Sequence, residues 1–206
     1  MIRKNHRLIY FSNPPLGKNI SIKVKIFMLK RVAVIFCLIL GITLQGCTGG
    51  VSGLKSYVDV SDGYQFSYPN GWSEVQVKSG PDVVFHDIIE TTENVSVVIS
   101  PVPEGKSLAD LGTPSEIGYQ LQKRAIAPPN SNRQAELINV ASREVNGNTY
   151  YLMEYAVKIG EAARHDLASV TVNRGKLYTF NASTTDKRWL KAKNVLETIV
   201  KSFLVN

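Results

Sequence analysis

Two tight reversals in the last third of the chain constrain the fold most. Asn146-Gly147 separates two β-rich runs, Ala135 to Val145 and Thr149 to Ile159, and Asn173-Arg174-Gly175 separates two more, Arg164 to Val172 and Lys176 to Ala182. Asn-Gly supplies two consecutive residues that tolerate positive φ, which a two-residue hairpin turn requires. Two such reversals in series fold the chain into an antiparallel meander and leave no room for crossover helices between these strands. A helix is expected from Asp186 to Phe203, with Trp189, Ala192, Leu196, Ile199 and Phe203 as its apolar stripe. Thr185 or Thr184 is the expected cap, and Asp186 in the first turn suits the helix dipole.

The earlier part of the chain also reads as β-rich. Tyr57 to Val60 and Tyr64 to Tyr68 flank Ser61-Asp62-Gly63, and Pro69-Asn70-Gly71 stops the second run. Glu74 to Lys78 alternates, and Val83 to Ile89 and Asn94 to Val102 follow as strands. A helix is expected over Pro114 to Ala127, with Thr113 as N-cap, Pro114 at its first position and Glu116 near its third. Pro128-Pro129 ends it. Strands in a meander with helices between and after them give an α+β layered sandwich.

Charge divides the chain differently. Eight of the 24 Lys and Arg precede Cys47 and no acidic residue does, so 16 basic face 17 acidic residues from Cys47 onward, a net of −1. The basic character belongs to the leader, and a large phosphate-binding footprint on the folded part is disfavoured; no nucleic-acid partner is expected. From Met28, the expected true start, Lys30-Arg31 precedes an apolar run from Val32 to Ile42, and Leu44-Gln45-Gly46-Cys47 closes it. The run is too short for a span of about 20 residues. The whole has the form of a lipoprotein signal peptide with a lipobox, cleaved before Cys47, whose thiol takes the lipid. An ordinary cleaved signal or an uncleaved anchor helix is the alternative. The expected organisation is a leader over 1–46, a lipidated Cys47 with a flexible tether over 47–56, and one domain over 57–206. The only other cysteine, Cys37, lies in the leader, so no disulfide is expected in the mature protein.

Catalytic signatures do not occur: there is no GxSxG, P-loop, HExxH or Gly-rich dinucleotide turn. The two mature histidines each precede an aspartate, His86-Asp87 and His165-Asp166. Adjacent strand residues point to opposite faces, so neither pair can chelate an ion alone. Asp59-x-x-Asp62-Gly63 lacks the spacing and closing Glu of a calcium loop and reads as a hairpin turn. Lys187, Arg188, Lys191 and Lys193 lie on the last helix, either as a solvated face or as a docking patch for an acidic partner or anionic lipid.

Several motifs then resemble one family. Asp62-Gly63-Tyr64-Gln65-Phe66-Ser67-Tyr68-Pro69 with Gly71-Trp72 is similar to the opening of PsbP domains, as is Asp82-Val83-Val84-Phe85-His86-Asp87 followed by Asn94-Val95-Ser96-Val97. Val172-Asn173-Arg174-Gly175-Lys176-Leu177-Tyr178 and Asp186-Lys187-Arg188-Trp189 complete the likeness, which spans Tyr57 to Val205. With the lipobox, the chain resembles the cyanobacterial lipoprotein branch of that family.

The resemblance implies an antiparallel β-sheet sandwiched by helices, the Mog1/PsbP-like fold. It implies a non-catalytic accessory protein of photosystem II on the lumenal side of the thylakoid membrane, monomeric and related to the oxygen-evolving complex. Plant members hold calcium and chloride there with the help of an N-terminal extension. Only a short tether precedes Tyr57 here, so a role in assembly or stabilisation is expected instead. A His and an Asp at the positions of His165 and Asp186 have been proposed to bind manganese in plant members. The resemblance therefore implies a Mn, Zn or Ca ion at this pair, with no cofactor required. The rival from another class is a small envelope lipoprotein with hydrolase or metal-dependent activity. A third possibility is a lipoprotein scaffold for a different envelope complex.

Overall fold

The computed structural model describes residues 53–206. The leader, Cys47 and most of the tether lie outside the described residues. Ten strands and three α-helices follow in the order β1 (Leu54–Asp59), β2 (Tyr64–Pro69), β3 (Trp72–Glu74), β4 (Val83–Asp87), β5 (Asn94–Pro101), α1 (Leu108–Leu111), α2 (Pro114–Leu121), β6 (Arg133–Val145), β7 (Asn148–Ile159), β8 (Ala162–Asn173), β9 (Lys176–Thr185), α3 (Asp186–Ser202) and β10 (Leu204–Val205). The strands form a seven-stranded sheet in the order β3-β4-β5-β9-β8-β7-β6 and a three-stranded sheet in the order β1-β2-β10, every pair antiparallel.

Both predicted reversals form. Asn146 and Gly147 have φ of 52° and 78°, and Val145 pairs with Asn148 across the turn. Arg174 and Gly175 have φ of 49° and 71°, and Asn173 pairs with Lys176. Each is a two-residue turn with left-handed backbone at both positions, the geometry that continues the twist of the flanking strands.

Alternation along β7 decides what each face buries. Tyr151, Met153, Tyr155 and Val157 turn to one side and pack with Ala168, Val170, Leu108 of α1 and Ile117 of α2. Tyr150 turns to the other side and joins Leu167, Phe180, Trp189, Leu196, Ile199 and Phe203 in a larger core. That second core also takes Tyr64 and Phe66 from the small sheet, with the Phe66 and Phe180 rings 4.7 Å apart. The large sheet thus lies between α1 and α2 on one face and α3 with the small sheet on the other, an α+β architecture of antiparallel sheet and flanking helices.

Local details differ from expectation in several places. β1 begins at Leu54, three residues before Tyr57, because Gly53 to Asp59 finds β2 as a partner. The strand expected over Glu74 to Lys78 stops at Glu74: β4 begins at Val83, so Gln76 and the residues after it face no neighbouring strand. α1 was not anticipated; Ser107 and Asp110 close a capping box around its single turn. The helix over 114–127 is α-helical only to Leu121 and then widens to a π-helical turn over Gln122–Ile126. Its start is as expected, with Thr113 and Glu116 forming a capping box and Pro114 in the first turn. Thr185 is the N-cap residue of α3, but its side chain makes no capping bond, and the Thr184 hydroxyl donates to Glu93 Oε1 at 2.6 Å instead.

Candidate functional site

β8 and the first turn of α3 bring His165 and Asp186 together. His165 pairs with Thr184 of β9 across the sheet, and α3 starts two residues after Thr184, so Asp186 returns over the imidazole. His165 Nε2 lies 2.8 Å from Asp186 Oδ1. The ring stacks on Trp189 of α3 with centroids 4.5 Å apart and planes 4° from parallel. Helical spacing explains this: Asp186 and Trp189 are three residues apart and share a face. The imidazole is largely buried at 17% exposure, while the Asp186 carboxylate is open at 60%.

A third acid completes the cluster. Glu154 of β7 places Oε1 4.0 Å from His165 Nδ1, which is buried and has no hydrogen-bond partner. Lys193 Nζ sits 3.9 Å from Glu154 Oε2, 3.9 Å from Glu197 Oε1 and 5.1 Å from the Trp189 ring centroid. Sequence reading did not single out Glu154. Its signal was a charged residue at the position where β7 alternation, Tyr150-x-Leu152-x-Glu154, calls for an apolar side chain.

The donor set fits a divalent ion in part. A neutral imidazole nitrogen and a carboxylate oxygen 2.8 Å apart have the separation of adjacent ligands around an ion bonded at about 2.0–2.2 Å to each. Glu154 faces the other ring nitrogen, so it cannot be a third ligand to the same ion. At 4.0 Å it makes no hydrogen bond to that nitrogen and acts on the ring through its charge alone. Water would have to fill the remaining positions.

The four basic residues of α3 do not form one patch. The Arg188 guanidinium is turned inward: Nε meets Glu93 Oε1 at 2.5 Å, Nη2 meets Glu93 Oε2 at 3.3 Å, and Nη1 lies 3.5 Å from Glu90 Oε1. Glu93 is itself buried. Lys193 is held among Glu154, Glu197 and Trp189. Lys187 and Lys191 are exposed. His86 and Asp87 point apart on β4, and Asp87 caps the next turn through Oδ1 by accepting from the Ile89 and Glu90 amides at 2.7 and 2.9 Å. Those bonds, led by the Glu90 amide, hold the Asp87 carboxyl below the usual carboxylate range.

Asp59-Asp62-Gly63 is the hairpin turn that was expected, but Asp82 joins it. Ligand atoms of Asp59, Asp62 and Asp82 lie within 4.8 Å of one another, the one such group among the described residues. Its charge is already partly met, since Lys176 Nζ lies 2.8 Å from Asp62 and the Tyr64 hydroxyl donates to Asp82 at 2.6 Å.

A cleft of about 540 Å³ opens on the opposite face of the large sheet, floored by Asn94, Ser96, Asn181, Ser183, Asp166 and Arg164. Arg164 donates to Ser183 Oγ from both Nε and Nη2, at 3.1 and 2.6 Å, and Ser183 donates to Asp166. Burial pushes the Asp166 carboxyl up. No histidine or cysteine lines this cleft.

Comparison with known proteins agrees with this architecture. The family model described as PsbP matches residues 52–205. The chain is 48% identical to CyanoP of Synechocystis sp. strain PCC 6803 over 182 residues, covering 86% of this chain and 97% of that protein. It is equally 48% identical to CyanoP of Thermosynechococcus vestitus over 183 residues, covering 86% of this chain and all of that one. The solution structure of cyanobacterial PsbP (CyanoP) from Synechocystis superposes with a TM-score of 0.66 at 49% identity, over 78% of this chain and 98% of that one. A single family accounts for the sequence match over the described domain and for its topology: the chain belongs to the PsbP family.

Proposed function

We propose that this protein is a non-catalytic accessory factor of photosystem II, anchored by lipid on Cys47 to the lumenal face of the thylakoid membrane, where it aids assembly or stabilisation of the complex. The observation that carries the reading is similarity to cyanobacterial CyanoP at 48% identity over 86% of this chain and 97–100% of those relatives. Relatives that match only in the folded domain would leave the leader unexplained; here the match extends beyond it.

The chemistry of the domain favours binding over catalysis. In the cleft, the Ser183 oxygen carries two guanidinium donors, which occupy the lone pairs a nucleophile needs. His165 is stacked against Trp189 and faces carboxylates on both sides, with no hydroxyl or thiol as its partner among the described residues. These arrangements speak against the hydrolase alternative.

A divalent ion, if bound, would be held by His165 and Asp186 and would supply a fixed positive charge at the start of α3. Lys187 and Lys191, exposed on the same helix, then form the part of the basic run that is free to meet an acidic partner or anionic lipid. Affinity purification of a tagged protein from thylakoids tests the reading. Recovery of photosystem II reaction-centre intermediates is expected; recovery of unrelated envelope proteins alone would remove it. For the ion, His165→Ala with Asp186→Ala is expected to abolish Mn²⁺ or Zn²⁺ binding seen by calorimetry, and unchanged binding in that double variant would reject the site.

A further inference from the structure

We propose that the β4–β5 turn is a second membrane contact, with Ile88 and Ile89 entering the lipid interface beside the tether; the proposal rests on acylation at Cys47. Chain connectivity places the turn. The Asn70 amide donates to the Gly53 carbonyl at 2.9 Å, and the Ile88 amide donates to the carbonyl of the next residue, Gly71, at 3.3 Å. One dipeptide therefore bridges the point where the tether joins the domain and the start of the turn. Six residues, Thr48 to Gly53, separate Cys47 from β1. At about 3.3–3.6 Å each they reach roughly 20 Å at most, whereas the 13 residues of β6 run for roughly 40 Å. The tether end of the domain must face the bilayer closely, and the opposite end need not touch it.

That end presents exposed apolar side chains among charged ones, the Asp186 and Glu90 carboxylates included. Ile88 is 63% exposed and Ile89 88% exposed. On α3, which begins at the same end, Leu190 is 92% exposed with the exposed Lys187 and Lys191 around it. An exposed leucine flanked on its helix by lysines suits a lipid interface, where the lysine stems lie along the apolar layer and the ammonium groups reach the headgroups.

The isoleucine side of the turn also suits such a medium. Backbone amides that enter lipid must already be paired. The Asp87 amide donates to the Glu93 carbonyl, Ile88 to Gly71, Ile89 and Glu90 to the Asp87 carboxylate, and Glu93 to the Glu90 carbonyl. Arg188 lies against both acids of the turn, Glu90 and Glu93, which lowers the cost of bringing them near hydrocarbon. The opposite end differs. Its exposed valine, Val60, sits between Asp59 and Asp62, whose carboxylates would resist a bilayer.

The test uses the mature acylated chain bound to vesicles of phosphatidylcholine and phosphatidylglycerol containing a nitroxide-labelled lipid. A single environment-sensitive fluorophore is attached through Ile89→Cys or, as control, Val60→Cys; the Cys47 thiol is blocked by its lipid. Both proteins are expected to float with the vesicles. The label at 89 should be quenched at least twofold more than the label at 60, with blue-shifted emission. Flotation with equal quenching at the two positions would overturn the membrane contact and leave the anchor standing. Shielding of position 89 that requires added photosystem II would assign the turn to a protein partner and overturn it too. Failure to float would remove the acyl anchor, and this proposal with it.

Discussion

Replacing Arg188 by alanine separates a structural role for the basic run of α3 from a docking role. Glu93 is 4% exposed, and its carboxylate is met by Arg188 Nε at 2.5 Å, Arg188 Nη2 at 3.3 Å and the Thr184 hydroxyl at 2.6 Å. Removing the guanidinium leaves a buried carboxylate with one neutral donor. Breaking a buried pair from one side costs about 3–5 kcal/mol. The arginine is one-third exposed, so solvent reaches part of the gap and the expected loss falls to about 2–3 kcal/mol. For a domain of this size each kcal/mol moves Tm by about 2–4 °C, so a fall of roughly 4–12 °C follows. Lys187→Ala and Lys191→Ala, both on exposed positions, should stay within about 0.5 kcal/mol. Urea unfolding followed by the fluorescence of Trp72 and Trp189 reads all three. Adding Glu93→Gln to Arg188→Ala should return part of the loss, because the stranded charge is gone. If Arg188→Ala destabilises no more than Lys191→Ala, the inward reading of Arg188 is wrong and the guanidinium is free for a partner.

Three further outcomes follow from the same geometry. Tyr155 is buried and its hydroxyl donates to the Gly118 carbonyl at 2.9 Å, tying β7 to α2; Tyr155→Phe should cost about 1 kcal/mol in urea unfolding, and no change would show that the bond contributes nothing. Gly147→Val forces a β-branched residue to φ of 78° in the β6–β7 turn and should cost about 1–3 kcal/mol; a neutral result would mean the turn can rearrange. Asp87 has its native carboxyl pKa lowered, chiefly by the Glu90 amide. Its contribution is therefore present above the unfolded value near 4 and is lost as pH falls through the lower native value. The Tm gap between wild type and Asp87→Asn should be open at pH 6 and close in acid; a gap that widens in acid would contradict the assignment.

Most of the large sheet was legible because its signals are local. Alternation and the Asn-Gly and Arg174-Gly175 turns set the register of β6 with β7 and of β8 with β9 without help from the rest of the chain. What escaped depends on contacts between distant residues. Glu93 reads as a polar turn residue, and nothing near it announces burial; its partner Arg188 lies 95 positions along the chain. The same pairing removes Arg188 from the patch that helical spacing had assembled. Thr184 was available as a cap until Glu93 claimed its hydroxyl. The expected strand at Glu74 to Lys78 had the alternation but lacked a neighbour to bond with. At the candidate site, His165 and Asp186 were found through the family likeness, and adjacency along β8 had pointed to His165-Asp166 as a pair that cannot chelate. Glu154 was visible only as a break in the apolar alternation of β7, whose meaning needed the imidazole beside it.

The central claim is that this domain binds photosystem II, and titrating the purified mature protein onto isolated reaction-centre complexes stripped of extrinsic subunits tests it most directly. The account predicts saturable binding at a fixed stoichiometry that weakens with added salt. Binding that never saturates, or that is equal on complexes from another membrane assembly, would contradict it.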